Sequence, residues 1–379
     1  MKKILFVTHT FLPESYGGAE QQTLKIASAL NKKNYKTLIF SPKIKKKTPK
    51  INKINNVNII RLKLNKLPSL RGIAIFSFIS WFIKTFYWSL FNIKNFDAIY
   101  VVHGRIHSIP FALISKIFNK KLFIKIGRGG DIFDLNQIRK KKIIGKLVVR
   151  ILIKNVTAWI ANSDEIYKDL KSYRIQRSKI FKIYNGVKFS NKKKRYIPGK
   201  KNFLYFGRFD KEKNLIYLIN SFSKLIKNLD FKFTMVGDGT EKDKIIKIIK
   251  LYKLQNKIFI KGKTLKLLKF FKENHFFISA SNSEGMSNSL LESSSFGLPS
   301  ISSRVSGAKD IISDNKTGFI FNLKDKKDLQ KKLTIMIKMK KNRYSKMSTN
   351  IQKLISKRFT IEIIVNEHIK MFNKVFNTN

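Results

Sequence analysis

Short apolar runs alternate with longer amphipathic stretches along the 379 residues of this chain. "KILFVTH" (Lys3–His9) has the length of a buried strand, and "AEQQTLKIASAL" (Ala19–Leu30) repeats apolar residues at helical spacing. "YKTLIFS" (Tyr35–Ser41), "VNIIRL" (Val57–Leu62), "DAIYVVH" (Asp97–His103), "KLFIKI" (Lys121–Ile126), "VTAWIANS" (Val156–Ser163) and "KIFKIYNGV" (Lys179–Val187) read as further strands, with a helix near Ile109–Phe118. "KFSNKKKRYIPGKKN" (Lys188–Asn202) is charged, holds Pro and Gly and lacks periodicity, as a linker does. The alternation then resumes with "NFLYFGR", "FKFTMVGDG", "KIFIKG", "HFFISAS" and "PSISS", and the chain from about Lys324 on reads as basic helix. Strands alternating with helices predict parallel sheets built from βαβ units. The expectation is an α/β protein of two doubly wound, Rossmann-like domains facing across a cleft: 1–187, a linker at 188–201, and 202–358, with a last helix at about 359–379.

Composition narrows this only a little. Hydrophobic residues make up 43% and charged residues 27%, which suits a globular chain. Cysteine is absent, so disulfide scaffolds, thiolate zinc sites and cysteine nucleophiles are excluded. The net charge is +56, from 79 basic and 23 acidic residues. Such a balance favours anionic partners in general. Thirteen of the 79 are Arg and the other 66 are Lys, spread along the chain beside many Asn, Ile and Phe. That pattern reads as codon bias, and most of the charge as solvated surface. No zinc finger, basic zipper or RRM-type motif is present, and nucleic acid is not an expected partner.

Two apolar segments bear on membranes. The N-terminus opens like a signal peptide, but its apolar run covers only Ile4–Val7 and no cleavage site follows. "IAIFSFISWFIKTFYWSLFNI" (Ile73–Ile93) is 21 residues long, with Lys84 in the middle. A central Lys costs a spanning helix about 2.5–3.5 kcal/mol. Arg61, Lys63, Lys66 and Arg71 precede the segment, and Trp81, Tyr87 and Trp88 are interleaved in it. It reads as an interfacial helix on an anionic membrane surface, with a helix packed inside the domain as the alternative.

The candidate chemistry centres on "SEGMSNSLLESSSFGLP" (Ser283–Pro299), which concentrates two of the few acids, Glu284 and Glu292. One reading is a capping box, with Ser289 as the cap and Glu292 reaching back to it. The other follows from position. The stretch sits at the carboxyl end of a strand, where open α/β sheets bind ligands. There Gly285 permits close approach, and the amides around Met286, Ser287 and Asn288 open a helix suited to phosphate. Gly207-Arg208 at another strand end and Lys213 beyond it form a plausible diphosphate clamp. Gly17-Gly18 before the first helix suits a phosphate or a sugar, and the stretch is not GxGxxG.

Together these residues resemble the family 4 retaining glycosyltransferases of the GT-B fold. The resemblance covers nearly the whole chain through "LPESYGGAE", "NSDEIYKDL", "IYNGV", "GRFDKEKN", "VGDG", "SEGMSNSLLE", "FGLP" and "DNKTGFIF". It implies that Glu284 contacts the donor sugar hydroxyls, that Gly285 to Asn288 hold sugar and phosphate, and that Glu292 binds the ribose. Arg208 and Lys213 match the cations on the donor diphosphate. Gly17 and Gly18 match a loop over donor and acceptor, and the last helix, near Phe359–Phe376, matches one that returns to the N-terminal domain. Many members carry a histidine after an N-terminal strand; here that stretch is "FIKIGRGGDIFD" (Phe123–Asp134), with Arg128 and Gly129 in the loop and no histidine. His103 matches a different, strand-terminal histidine: it lines the acceptor side or simply caps a strand.

The implied reaction moves a sugar from a nucleotide-sugar to a hydroxyl with retained configuration. The expected acceptor is a lipid-linked or cell-envelope glycan, met in the cytoplasm at the inner face of the membrane. No DxD motif is visible and cations are abundant, so neither a cofactor nor an obligate metal is expected. The rival readings are a nucleotide-sugar epimerase on a similar fold and a basic nucleic-acid-binding protein.

Overall fold

The computed structural model describes residues 1–68, 74–191, 194, 196–199, 201–225, 229–264, 266–325 and 327–377. The chain divides into two compact units, Met1–Gly186 joined by the last helix, and Val187–Thr360.

Unit 1 runs β1 (Lys2–Val7), α1 (Gly18–Asn31), β2 (Tyr35–Lys43), β3 (Ile51–Ile54), β4 (Val57–Lys63), α2 (Ala74–Asn92), β5 (Ala98–Val102), α3 (Ile109–Ile117), β6 (Lys121–Lys125), α4 (Asp134–Arg139), α5 (Lys142–Asn155), β7 (Ala158–Ala161), α6 (Asp164–Ser172) and β8 (Ile180–Lys182). Its sheet order is β3-β4-β2-β1-β5-β6-β7-β8. All pairings are parallel except β3–β4. That hairpin, unforeseen in the sequence, turns on Asn55 and Asn56, both at positive φ (48° and 63°), as a tight two-residue hairpin loop requires.

Unit 2 runs β9 (Lys201–Phe206), α7 (Leu215–Ser223), β10 (Phe231–Val236), α8 (Lys242–Leu251), β11 (Ile258–Lys261), α9 (Leu268–Glu273), β12 (Phe276–Ser279), α10 (Asn288–Ser295), β13 (Ser300–Ser303), α11 (Ala308–Ile311), β14 (Gly318–Phe321), α12 (Asp328–Ile337) and α13 (Lys341–Arg358). Its six strands are all parallel, in the order β11-β10-β9-β12-β13-β14. Counted from β9, this is the 3-2-1-4-5-6 order of a Rossmann sheet. The stretch 188–201 falls within unit 2; of its residues, 192, 193, 195 and 200 lie outside the described set.

The last helix, α14 (Ile361–Asn377), packs on α1 of unit 1. It is held by apolar burial and by polar ties: the buried Tyr100 hydroxyl lies 3.0 Å from His368 Nε2, and the Tyr35 hydroxyl donates to Asn373 Oδ1 at 3.5 Å. Phe372 fills the space beside Tyr35, Tyr100 and Phe123.

Two sequence expectations are corrected in unit 1. The strand expected over Lys179–Val187 stops at Lys182. Beyond it the backbone of Gly186 exchanges two hydrogen bonds with the Gln22 amide, at 2.7 and 3.0 Å. The second concerns α2. Trp81, expected to face lipid, is fully buried, and its indole N–H donates to His107 O at 3.2 Å. Trp88 is half-buried, with its ring 4.5 Å from that of Phe40. The helix is apolar on nearly every side, so sequence alone does not say which face turns inward. Arg71 and Ile73 lie outside the described residues. Among the described residues no helix is long and apolar enough to cross a membrane.

Candidate active site

In unit 2 the strand order reverses between β9 and β12, the switch point where such sheets open a ligand crevice. The two loops leaving these strands carry most of the expected site. After β9, Gly207 donates to Val236 O at 3.0 Å, Phe209 to Asp238 O at 2.8 Å, and Glu241 to Phe209 O at 2.8 Å. The loop of "VGDG" thus forms the bed of the "GRF" turn. Gly239 has φ of 158°, and a Cβ there would lie 2.7 Å from the Phe209 backbone. Only glycine fits. The Tyr205 hydroxyl donates to Arg208 O at 2.8 Å and fixes the turn from below.

Arg208 is largely exposed and pairs through Nη1 with Asp210 Oδ2 at 2.6 Å. Lys213 ends a 3₁₀ turn, after which Asn214 adopts a left-handed conformation (φ 52°) and starts α7. Two hydrogen bonds stitch this turn to the loop after β12: Asn282 N–H to Glu212 O at 2.9 Å, and Asn214 Nδ2 to Asn282 Oδ1 at 3.2 Å. They bring Lys213 Nζ onto Glu284 Oε1. Ser281 donates to the same carboxylate at 2.9 Å. The side chains of Lys213 and Glu284 are only 20% and 13% exposed. Burial pushes the Glu284 carboxyl up, but Lys213 and the hydroxyls of Ser281 and Ser287 outweigh it, so the net shift is downward. The buried Tyr205 phenol is pushed well up, first by burial and then by Glu284 and Asp210, with Arg208 opposing. Arg208 and Glu284 therefore act on one hydroxyl in opposite senses.

Gly285 and Met286 follow, buried, and Gly285 O accepts from Gly307 N at 2.5 Å. The capping-box reading does not hold. Ser287 caps α10, its Oγ accepting from Leu290 N at 3.4 Å. The third helical position is then Leu290, which has no carboxylate to reach back. Ser289 instead bonds the Ser287 hydroxyl at 3.0 Å. Asn288 opens the helix and Glu292 stands one turn on, both half-buried. The positive end of α10 thus adjoins the Lys213–Glu284 pair.

Unit 1 has its own switch point, between β1 and β5. Gly17 is the N-cap of α1 and Gly18 its first residue. Glu20 folds back over Gly17, so that a Cβ at 17 would overlap its carboxylate, and Thr10 donates to Glu20. That helix end already holds an anion. At the end of β5, His103 has a φ of 70°, strained for a residue with a side chain. Its Nδ1 lies 3.6 Å from Asp134 Oδ2, and Arg105 Nε lies 3.6 Å from Asp134 Oδ1. Gly127 N–H donates to Asp134 at 3.0 Å. Burial pushes the Asp134 carboxyl up, yet His103, Arg105 and Gly127 together drive it far below the usual carboxylate range. Arg128 is half-buried in the same loop, and Gly129 caps the 3₁₀ turn after it. His9 lies 5.2 Å from His107, ring to ring, and burial, then Arg105 and His103, lower its pKa to about 4.

Sequence reasoning missed Asp210, Asn282 and Tyr205 in unit 2, and His9, Arg105, His107 and Asp134 in unit 1. The spacing "HGRIHS" after a strand end was the available signal for the second group. Among the described residues no cluster of three or more His, Cys, Asp or Glu side chains has metal-binding geometry.

The comparisons divide as the units do. The family model described as "Glycosyltransferase Family 4" matches residues 16–190, and the model described as "Glycosyl transferases group 1" matches residues 187–354. A protein of Methanocaldococcus jannaschii, named as an uncharacterised glycosyltransferase, is 24% identical over 397 residues, with 99% of each chain covered. The N-acetylgalactosamine-N,N'-diacetylbacillosaminyl-diphospho-undecaprenol 4-alpha-N-acetylgalactosaminyltransferase of Campylobacter jejuni is 27% identical over 201 residues, 52% of this chain and 54% of that one. Among solved structures, Anabaena HepE in complex with UDP and glucose superposes with a TM-score of 0.77 at 16% identity, over 98% of this chain and 100% of that one. At that identity the likeness carries the fold alone. With two family models that together span 16–354, the chain belongs to the group 1, family 4-type glycosyltransferases, enzymes of the GT-B fold.

Proposed function

We propose that this glycosyltransferase moves a sugar from a nucleoside diphosphate sugar to a hydroxyl with retention of anomeric configuration, and that the acceptor is a lipid-linked or cell-envelope glycan. The observation that carries the donor half is the Lys213–Glu284 pair at the switch point of unit 2, beside the N-terminus of α10. With the donor bound, the Lys213 ammonium turns to the diphosphate and Glu284 accepts hydrogen bonds from the sugar. Arg208 leaves Asp210 for the second phosphate, a small loss for an exposed pair. As the glycosidic bond breaks, negative charge grows on the leaving diphosphate. Lys213, Arg208 and the helix end then face it together, which supplies the electrostatic stabilisation such a step needs. Glu292 takes the ribose hydroxyls. These cations do the work a metal would otherwise do, so no obligate metal is required.

The acceptor reading is supported by the printed name of the Campylobacter relative, a transferase acting on a diphospho-undecaprenol glycan. It sets the reaction in the cytoplasm, at the inner face of the cytoplasmic membrane. His103, Arg105 and Arg128 are the acceptor-side groups of unit 1.

The test is a panel of nucleoside diphosphate sugars, read first by protection against thermal unfolding and then by transfer to undecaprenyl-diphosphate-linked acceptors. Anomeric configuration is read by NMR on the product. Protection by one donor together with an α-configured product from an α-configured donor supports the reading. An inverted product, or a rearranged sugar nucleotide formed without any acceptor, overturns it.

A further inference from the structure

Helix α2 is apolar on two faces. The face turned into unit 1 packs Trp81, Phe78, Phe82, Phe86 and Trp88 on the core, with Ser77, Thr85 and Ser89 buried among them. Ser89 satisfies its hydroxyl on Thr85 O at 2.7 Å, and the Thr85 hydroxyl has no partner among the described residues. The outward face carries Phe76, Ile79, Ile83, Tyr87, Leu90 and Phe91, all exposed. These six recur at three- and four-residue steps, so they form one continuous stripe. Phe76, Ile83, Tyr87 and Phe91 are each 61–70% exposed. A helix in water puts its apolar face inward and its polar face outward. This one packs an aromatic face inward and keeps a second apolar face outward, and an exposed apolar patch of that extent marks an interaction surface.

The charge around the stripe selects its partner. From Gln21 to Phe96 the sequence has no Asp or Glu. Lys84 stands at the edge of the stripe, exposed, and donates to Lys63 O at 2.8 Å. Lys63 (which meets Lys84), Lys66 and, just past the helix, Lys94 are exposed as well. The next helices of the same layer continue the theme: α3 packs on both α2 and α5, and α5 exposes Ile144 and Leu147 beside Lys146 and Arg150. A second copy of this chain would bring like-charged rims together. An anionic surface with an apolar interior satisfies both the rim and the stripe.

We infer that the outer face of α2 docks unit 1 on an anionic lipid bilayer. The stripe enters the headgroup boundary, Lys63, Lys84 and Lys94 meet lipid phosphates, and the helix lies in the plane of the membrane without crossing it. The inference stands apart from the transfer reaction, since it is read without donor or acceptor.

The experiment is co-sedimentation of the whole chain with vesicles of phosphatidylcholine alone or mixed with phosphatidylglycerol. Three proteins are compared: wild type, Ile83→Ser/Tyr87→Ser, and Leu251→Ser. Leu251 is 74% exposed on unit 2 and controls for surface apolarity in general. All changes are at exposed positions, and near-ultraviolet circular dichroism checks the fold. Wild type and Leu251→Ser should bind the phosphatidylglycerol vesicles, with affinity falling as salt is added. The double variant should bind roughly a hundredfold more weakly, about tenfold per apolar side chain withdrawn from the bilayer. Equal binding by the double variant would assign adhesion to charge alone and overturn the inference. So would absence of vesicle binding, or a wild-type dimer in sedimentation equilibrium that the double variant disperses.

Discussion

The imidazole of His103 lies where the side chain of residue 127 would begin. A Cβ built on Gly127 overlaps the Nδ1–Cε1 edge of the His103 ring, and both residues share Asp134, one through its ring nitrogen and the other through its amide. The resemblance leads one to expect a histidine in the loop of Gly127. Here the loop is stripped to glycine, and an imidazole reaches the same spot from β5.

Gly127→Ala should therefore act through His103. Overpacking of this kind costs about 1–3 kcal/mol. The ring must move, and with it the contact to Asp134. All three tryptophans, Trp81, Trp88 and Trp159, belong to unit 1, so their fluorescence in urea reads this unit alone. The expected result is destabilisation by Gly127→Ala that largely vanishes in a His103→Ala background. Additive effects in the double-mutant cycle would show that the two side chains are not in conflict.

The ion pair of unit 2 gives a second prediction. Lys213→Met leaves the Glu284 carboxylate buried without its cation, and removing one partner of a buried pair costs about 3 kcal/mol. Glu284 sits below its ordinary pKa in the folded protein, so its contribution is present above the unfolded pKa and is lost as the pH falls through the lower folded one. In Lys213→Met only burial and the hydroxyls act, and the pKa should rise. Unfolding followed by hydrogen exchange of β12 amides should show wild type losing stability as the pH falls below the unfolded carboxylate pKa, whereas protonation relieves the variant of a buried, unpaired carboxylate, so the gap between the two narrows in acid. Identical acid profiles would remove Lys213 as the dominant partner.

Much of this arrangement was legible in the sequence, but not all. The alternation of strand and helix patterns gave β1, β5, β9 and β12 because buried parallel strands are continuous apolar runs. The turn "SEGMS" was found because small and glycine residues follow such a run. What it faces was not legible: Lys213 and Glu284 are 71 positions apart, and only the sheet order brings them together. The cap at Ser287 was misplaced by two residues because Ser287 and Ser289 both satisfy the pattern locally. Helix α2 was found as a helix, but a segment apolar on every side carries no signal for its inner face. The Asn55-Asn56 pair carries a hairpin signal, since Asn tolerates the positive φ that such a turn needs.

Arg208→Ala should reduce transfer by about 2–4 kcal/mol in transition-state terms, the scale of one preorganised electrostatic group. Because Arg208 is largely exposed and, among the described residues, paired with Asp210 alone, stability should be unchanged. Single-turnover rates with saturating donor measure the first and thermal melting the second. A rate equal to wild type would take Arg208 out of the donor site. Glu292→Gln should weaken nucleotide binding instead, seen by calorimetry with the nucleoside diphosphate.

Metal independence is tested by chelation. With Lys213 and Arg208 neutralising the diphosphate, transfer in excess EDTA should match the untreated rate. Loss of activity that Mg²⁺ or Mn²⁺ restores would place a cation at the diphosphate and shift the electrostatic role away from the two side chains.

The last prediction concerns Lys125, at the carboxyl end of β6. Its side chain is buried, and its ammonium donates to Asn185 Oδ1 at 2.8 Å. Burial lowers its pKa to about 7, against about 10.4 for a lysine in the unfolded chain. Between those values the unfolded chain holds a proton that the folded protein has released. Stability must then rise with pH from about 7 to about 10, by up to about 1.4 kcal/mol per unit for one proton. Below pH 7 both states are protonated and the cost of burying the charge is felt in full. Lys125→Met removes that cost along with the bond to Asn185, worth about 1 kcal/mol. The variant should exceed wild type in stability at pH 6–7, and the advantage should shrink and reverse as the pH approaches 10. Tryptophan-detected urea unfolding across this range isolates unit 1. A stability difference between the two proteins that does not change with pH would mean that Lys125 keeps an ordinary pKa, and that its ammonium is solvated rather than sealed in.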